Sequence, residues 1–136
     1  MSELPSILLA TLQRLTEGLL WMSETDEPFE VFHWSQESMK ELTKERLLYL
    51  THHPGDTLVE QMDVDEFFSV AAENQDWFGD EERAIALRYR ELLTTLKHHL
   101  NRLKVYRVGE VEIDIYILGQ TQTGDWVGLA TKAVET

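Results

Sequence analysis

The sequence contains no cysteine. Disulfide scaffolds, cysteine-ligated zinc and thiol nucleophiles are thereby excluded. Proline and glycine are scarce, three and seven in 136 residues. No stretch rich in them separates two halves, so the chain reads as one domain over residues 1–136. No apolar run approaches the roughly 20 residues that a membrane helix needs, and Glu3 and Arg14 interrupt the first apolar stretch. Residues 1–20 lack a basic leader region, so no signal peptide is expected. The expectation is a cytoplasmic protein that engages no membrane. The last scarcity is of bases. Lys plus Arg total 12 against 25 Asp plus Glu, a net charge of −13. Such a surface repels phosphate backbones, because broad nucleic-acid binding requires cationic neutralisation. Nucleic acid is therefore not an expected ligand. The same charge keeps a free protein soluble and monomeric, and it steers a basic partner towards it.

The charge is unevenly spread. Residues 51–82 carry ten acids and no base, whereas residues 83–107 carry seven bases and one acid. The acidic stretch also holds Leu58, Val59, Met62, Val64, Phe67, Phe68, Val70, Trp77 and Phe78. That is enough apolar material to pack, so a folded segment with an acidic outer face is expected rather than a disordered tail.

Leu8, Leu12, Leu15 and Leu19 follow 4-3-4 spacing, which predicts an amphipathic helix from about Leu4 to Leu20. Pro5 suits its first turn. Phe29 to Trp34 reads as a strand buried on most of both faces. Thr43 caps a short helix with Arg46 to Leu50 behind it. Pro54-Gly55-Asp56 is a turn and Thr57 to Met62 a short strand. Asp63 caps a helix to about Ala72, and Glu66 three residues on resembles a capping box.

Gly79-Asp80-Glu81-Glu82 opens the longest helix, striped by Ile85, Tyr89, Leu92, Leu96 and Leu100. Acids occupy its first turn, and Lys97, His98, His99 and Arg102 its last, matching the helix dipole. After Leu103 the period becomes two. Val111, Ile113, Ile115 and Ile117 face one way, Glu110, Glu112, Asp114 and Tyr116 the other. Gly119 to Gly124 is a polar turn, and Trp126 to Val134 completes an antiparallel hairpin. Helices alternating with strands predict an α/β or α+β sandwich on a mixed sheet.

Chemistry-bearing patterns are few. His52-His53 and His98-His99 are adjacent pairs whose members point apart, and no HExxH spacing occurs. Asp63-x-Asp65 begins like a calcium loop but continues with Phe67 and Phe68. No intrinsic metal or other cofactor is expected. The sequence has no G-x-S-x-G elbow, P-loop or G-x-G-x-x-G, and its many carboxylates single out no catalytic pair. The chain is therefore read as a non-enzyme.

Three segments admit a binding role beside a structural one. Asp76-Trp77 lies between two predicted helices. There a tryptophan is either a core plug or an interface anchor with a charge beside it. Glu24, within Trp21 to Phe29, is either a solvated loop acid or the edge of a partner-binding face. Glu135 and Thr136 follow the last strand directly. They form either an ordinary polar end or a cluster of hard oxygens of the kind that Mg²⁺ prefers.

These segments carry a resemblance. GLLWMSETDEPFEVF (Gly18–Phe32), DVDEFFS (Asp63–Ser69), QDW (Gln75–Trp77), KVYRVGEVEIDIYILG (Lys104–Gly119) and GLATKAVET (Gly128–Thr136) resemble, in that order, the nuclease A inhibitor family. Glu37–Leu58 is the most divergent portion. The family is one of small acidic bacterial proteins that block a sugar-non-specific endonuclease. The resemblance implies a three-layer α/β/α sandwich like that of the pathogenesis-related proteins. It also implies that the inhibitor docks on the catalytic cleft of a ββα-metal endonuclease. Glu24, Asp76, Trp77 and Thr136 would then be partner-binding residues, with Thr136 reaching the nuclease's catalytic Mg²⁺, and Glu135, beside Thr136, is expected to bind the partner with them. Such an acidic plug mimics DNA and is not cut. The alternative is an acidic protein-binding module for a different basic partner.

Overall fold

The computed structural model describes residues 3–34, 42–72 and 79–135. Helix α1 (Glu3–Thr16) is followed by a two-stranded ribbon, β1 (Leu20–Met22) and β2 (Asp26–Pro28). Then come β3 (Glu30–Trp34), α2 (Lys44–Leu50), β4 (Val59–Met62), α3 (Val64–Ala72) and α4 (Asp80–His99). Strands β5 (Asn101–Val108), β6 (Glu112–Gln120) and β7 (Trp126–Val134) end the described chain. No helix among the described residues is long and apolar enough to cross a membrane.

The five long strands form one sheet in the order β3-β7-β6-β5-β4. Every pairing in it is antiparallel, which corrects the expected mixed sheet. The β6–β7 hairpin is the expected one and lies at the centre. Strand alternation sends its side chains to opposite faces. Ile113, Ile115 and Ile117 join Val127 and Leu129 in a core with Leu8 and Leu12 of α1, Phe67 and Phe68 of α3, and Leu92 and Leu96 of α4. Across the sheet, Leu47 and Leu48 of α2 cover Val108, with Trp34, Tyr106 and Tyr116 packed beside them. The result is three layers, α1, α3 and α4 on one face and α2 on the other, as the α/β/α expectation has it.

Gly128 permits the tight centre. A Cβ there would lie 2.2 Å from the Ile117 carbonyl oxygen and 2.7 Å from Leu118 Cβ. Local signals at the helix starts hold. Thr43 Oγ1 accepts the Arg46 N–H at 3.1 Å, and Asp63 Oδ1 accepts that of Asp65 at 3.2 Å. Glu82 accepts the Gly79 N–H at the start of α4.

Several expectations are corrected. Helix α1 stops at Thr16 rather than Leu20, because Gly18 turns the chain at φ +72°. Leu19 is still buried, 2% exposed, but it enters the core from the turn. Strand β3 lies at the edge of the sheet, paired among the described residues with β7 alone, and is mostly half-buried to exposed rather than covered on both faces. Ile85 is 41% exposed, so the buried stripe of α4 begins at Ala86. Val111 is also exposed and precedes β6. Helix α4 ends at His99, so Arg102 belongs to β5 and not to the last helical turn. Arg102 takes φ +56°, where the β5–β6 register shifts. Strand β5 and the β1–β2 ribbon have no counterpart in the sequence reading.

Candidate protein-binding groove

One end of the sheet gathers the β1–β2 ribbon, β4, the start of α3 and the end of β7. The ribbon is too short to be stable alone, and three sets of contacts hold it. Trp21 stacks on Phe67 at 4.2 Å and 16° and meets Phe29, Phe68 and Tyr89 edge-on. The Tyr89 hydroxyl donates to the Leu20 carbonyl. Thr131 Oγ1 donates to the Pro28 carbonyl at 2.9 Å. Burial, partly offset by the neighbouring Arg88 charge, raises the Tyr89 pKa, so this hydroxyl remains a donor at neutral pH.

The ribbon tip is laced to the end of β7. Ser23 Oγ accepts the Val134 N–H at 3.0 Å, and the Glu24 N–H donates to the Val134 carbonyl at 3.4 Å. On the other side, the Glu135 N–H donates to the Val111 carbonyl at 2.9 Å. Glu24 and Glu135, far apart in sequence, therefore flank one site. Between them opens a groove of about 670 Å³ floored by Trp21, Met62 and Phe67. A second groove, of about 620 Å³, adjoins it and shares Met62, Glu66, Arg107 and Glu135.

The electrostatics are one-sided. Glu24, Glu60, Asp63, Glu66 and Glu135 line these grooves, and Arg107 is the one cation among the described lining residues. Its Nη2 donates to Glu135 Oε1. Met22, 69% exposed, adds an apolar rim. An apolar floor under carboxylates suits a basic protein surface, whose Lys and Arg stems lie on apolar atoms while their heads meet carboxylates. Among the described residues no three His, Asp or Glu converge as a metal-binding set.

Of the residues singled out from the sequence, Glu24 and Glu135 are brought together. Asp76, Trp77 and Thr136 lie outside the described residues. Sequence reasoning passed over Arg107, Glu60 and Glu66 as site members. Glu66 carries the signature of a helix cap, and Arg107 sits in β5, which has no periodic signature in the sequence. A polar cluster on the opposite face was also missed. His53 Nε2 lies 2.6 Å from Asp114 Oδ2, and its Nδ1 lies 2.7 Å from Thr51 Oγ1. Beside it, burial and the Asp114 charge, partly offset by a hydrogen bond from Thr51, push Tyr116 up to about 12. This cluster fastens α2 to β6 and leaves the acidic groove untouched.

A comparison with curated proteins gives no match. A family model described as nuclease A inhibitor-like protein matches residues 6–136, nearly the whole chain. The chain therefore belongs to the nuclease A inhibitor-like family.

Proposed function

We propose that this protein inhibits a sugar-non-specific, Mg²⁺-dependent endonuclease by seating its acidic end in the catalytic cleft. The observation that carries the reading is the gathering of Glu24, Glu60, Asp63, Glu66 and Glu135 along adjoining grooves at one end of the sheet, in a chain of the nuclease A inhibitor-like family. A non-specific nuclease grips nucleic acid through phosphates, so its cleft is basic and holds a divalent ion. Carboxylates of a rigid body take the phosphate positions and form charge-assisted hydrogen bonds with Arg and Lys. Asp76 and Trp77 supply a charged anchor and desolvated area. Thr136, next in sequence to Glu135, brings oxygens that occupy coordination positions at the partner's Mg²⁺. Nothing scissile lies there, so the plug is not cut. The protein acts in the cytoplasm, as a monomer when free, on nuclease still inside the producing cell.

Titration into a Mg²⁺-dependent non-specific nuclease, with DNA and RNA substrates in parallel, tests this reading. Both activities should vanish at one inhibitor per nuclease. Undiminished cleavage at excess inhibitor would contradict it.

Charge complementarity also sets the kinetics. With a net charge of −13, association should slow at least about tenfold as salt rises from about 0.05 to 0.5 M, while dissociation changes little. Stopped-flow binding at several ionic strengths reads both rates. A salt-independent on-rate would rule out electrostatic steering.

A further inference from the structure

Among the described residues that line the acidic groove, the lone cation is already engaged. Arg107 projects from β5 directly opposite Glu60 of β4, on the face of the sheet that carries α3. Its guanidinium spans β6 to reach Glu135 beyond the end of β7. The Arg107 side chain is 21% exposed and that of Glu135 is 49% exposed. The arginine is thus held by its surroundings, and the glutamate is held chiefly by the arginine.

The backbone beside this pair is tied on both sides. Val134 bonds to Ser23 and Glu24, and the Glu135 N–H bonds to Val111. Backbone ties fix where residue 135 sits. They leave its side chain free to swing towards solvent under repulsion from Glu60 and Glu66, which line the same groove. Arg107 removes that freedom.

We propose that Arg107 is a positioning residue and that Glu135 is a strut rather than a partner contact. By gripping the Glu135 carboxylate, Arg107 holds that side chain over the groove instead of letting it swing into solvent. It also offsets the mutual repulsion of the groove's carboxylates, keeping them preorganised for a basic surface. This rests on the inhibitor reading above and assigns within it a role that the acids alone do not supply. A bidentate-capable guanidinium suits the task because its planar fork constrains a carboxylate more than an ammonium does.

A double-mutant cycle tests the assignment. Arg107→Gln and Glu135→Gln should each weaken inhibition of the same Mg²⁺-dependent nuclease on the order of tenfold, the scale of ordering interface side chains. The double variant should be no weaker than either single one. Arg107→Lys should recover part of the loss. Melting temperatures should barely move, since half-exposed ion pairs contribute little to stability.

¹³C relaxation of the Glu135 side chain supplies a readout that needs no nuclease. In Arg107→Gln its order parameters should fall, while backbone amide order along β5 and β7 stays constant. Losses that multiply in the double variant would make Glu135 a direct contact and overturn the proposal. Unchanged order parameters of the Glu135 side chain would overturn it as well. A wild-type protein that inhibits no such nuclease would sink the inhibitor reading, while the relaxation measurement still decides whether Arg107 holds the Glu135 side chain.

Discussion

Removal of Glu135 and Thr136 is expected to weaken inhibition by about 100-fold or more, the range of an interface hot spot. The fold should hardly register the loss. The deleted residues follow β7, whose ladder with β6 ends at Val134 opposite Glu112. Among the described contacts, the deletion removes the Glu135 N–H bond to Val111 and the ion pair with Arg107. A single backbone hydrogen bond is worth about 1 kcal/mol net, and a half-exposed ion pair less. The melting temperature should therefore fall by no more than about 5 °C. Inhibition assays and thermal melts on one preparation separate the two effects. Equal inhibition by the truncated and full-length chains would remove the metal-reaching part of the account.

Phe68→Ala should do the reverse, damaging the fold first. Phe68 is fully buried, at 0% exposure. Its ring packs against Trp21 at 6.4 Å, Phe67 at 5.2 Å and Tyr89 at 6.0 Å. Truncating such a phenylalanine costs about 3–5 kcal/mol, through lost transfer energy and the cavity left behind. Domains of this kind have only about 5–15 kcal/mol in total, so urea denaturation should show a large drop in midpoint. The cavity would open beneath the Trp21–Phe67 stack, so the ribbon carrying Glu24 should loosen before the sheet does. Inhibition should then fall even under conditions where the sheet persists. A midpoint shift equivalent to less than about 1 kcal/mol, below the range for buried aromatics, would show that this aromatic cluster is not what holds the ribbon.

The two variants bracket the relation between scaffold and site. One removes the working end and spares the scaffold, and the other leaves the end intact and loosens what aims it. The site has no element of its own. The acids come from the ribbon tip, from β4, from the start of α3 and from the residue after β7. Sheet order, with β4 at one edge and the ribbon tip bonded to Val134, makes them neighbours.

Where side-chain period matched backbone period, the sequence was readable. Ile113, Ile115 and Ile117 alternate cleanly and mark the central strand. Thr43 and Asp63 announce their helices by caps that form as expected. Strand β5 escaped because only Leu100 separates it from α4, with no glycine or proline between. The helix ends instead at Leu100, whose backbone is already extended, and the +56° φ of Arg102 inside β5 then shifts the register in a way that no sequence rule anticipates. The ribbon escaped because three-residue strands offer too few positions for a period to appear. Its existence depends on tertiary contacts from Phe67 and Tyr89.

The same logic explains the site. Glu24 is marked by its acidic loop and by the resemblance, and Glu135 only by its place beside Thr136, since as isolated acids in a chain with 25 of them neither stands out. Arg107 has no local signature at all. It matters because β5 places it opposite Glu60 and within reach of Glu135, a relation between three distant segments.

Competition at the cleft measures the central claim most directly. A catalytically inactive Mg²⁺-dependent non-specific nuclease, loaded with a fluorescent oligonucleotide, would be titrated with this protein. Release of the oligonucleotide in proportion to inhibitor bound, with no species holding both, is the result the account predicts. A stable ternary complex of nuclease, oligonucleotide and this protein would contradict it.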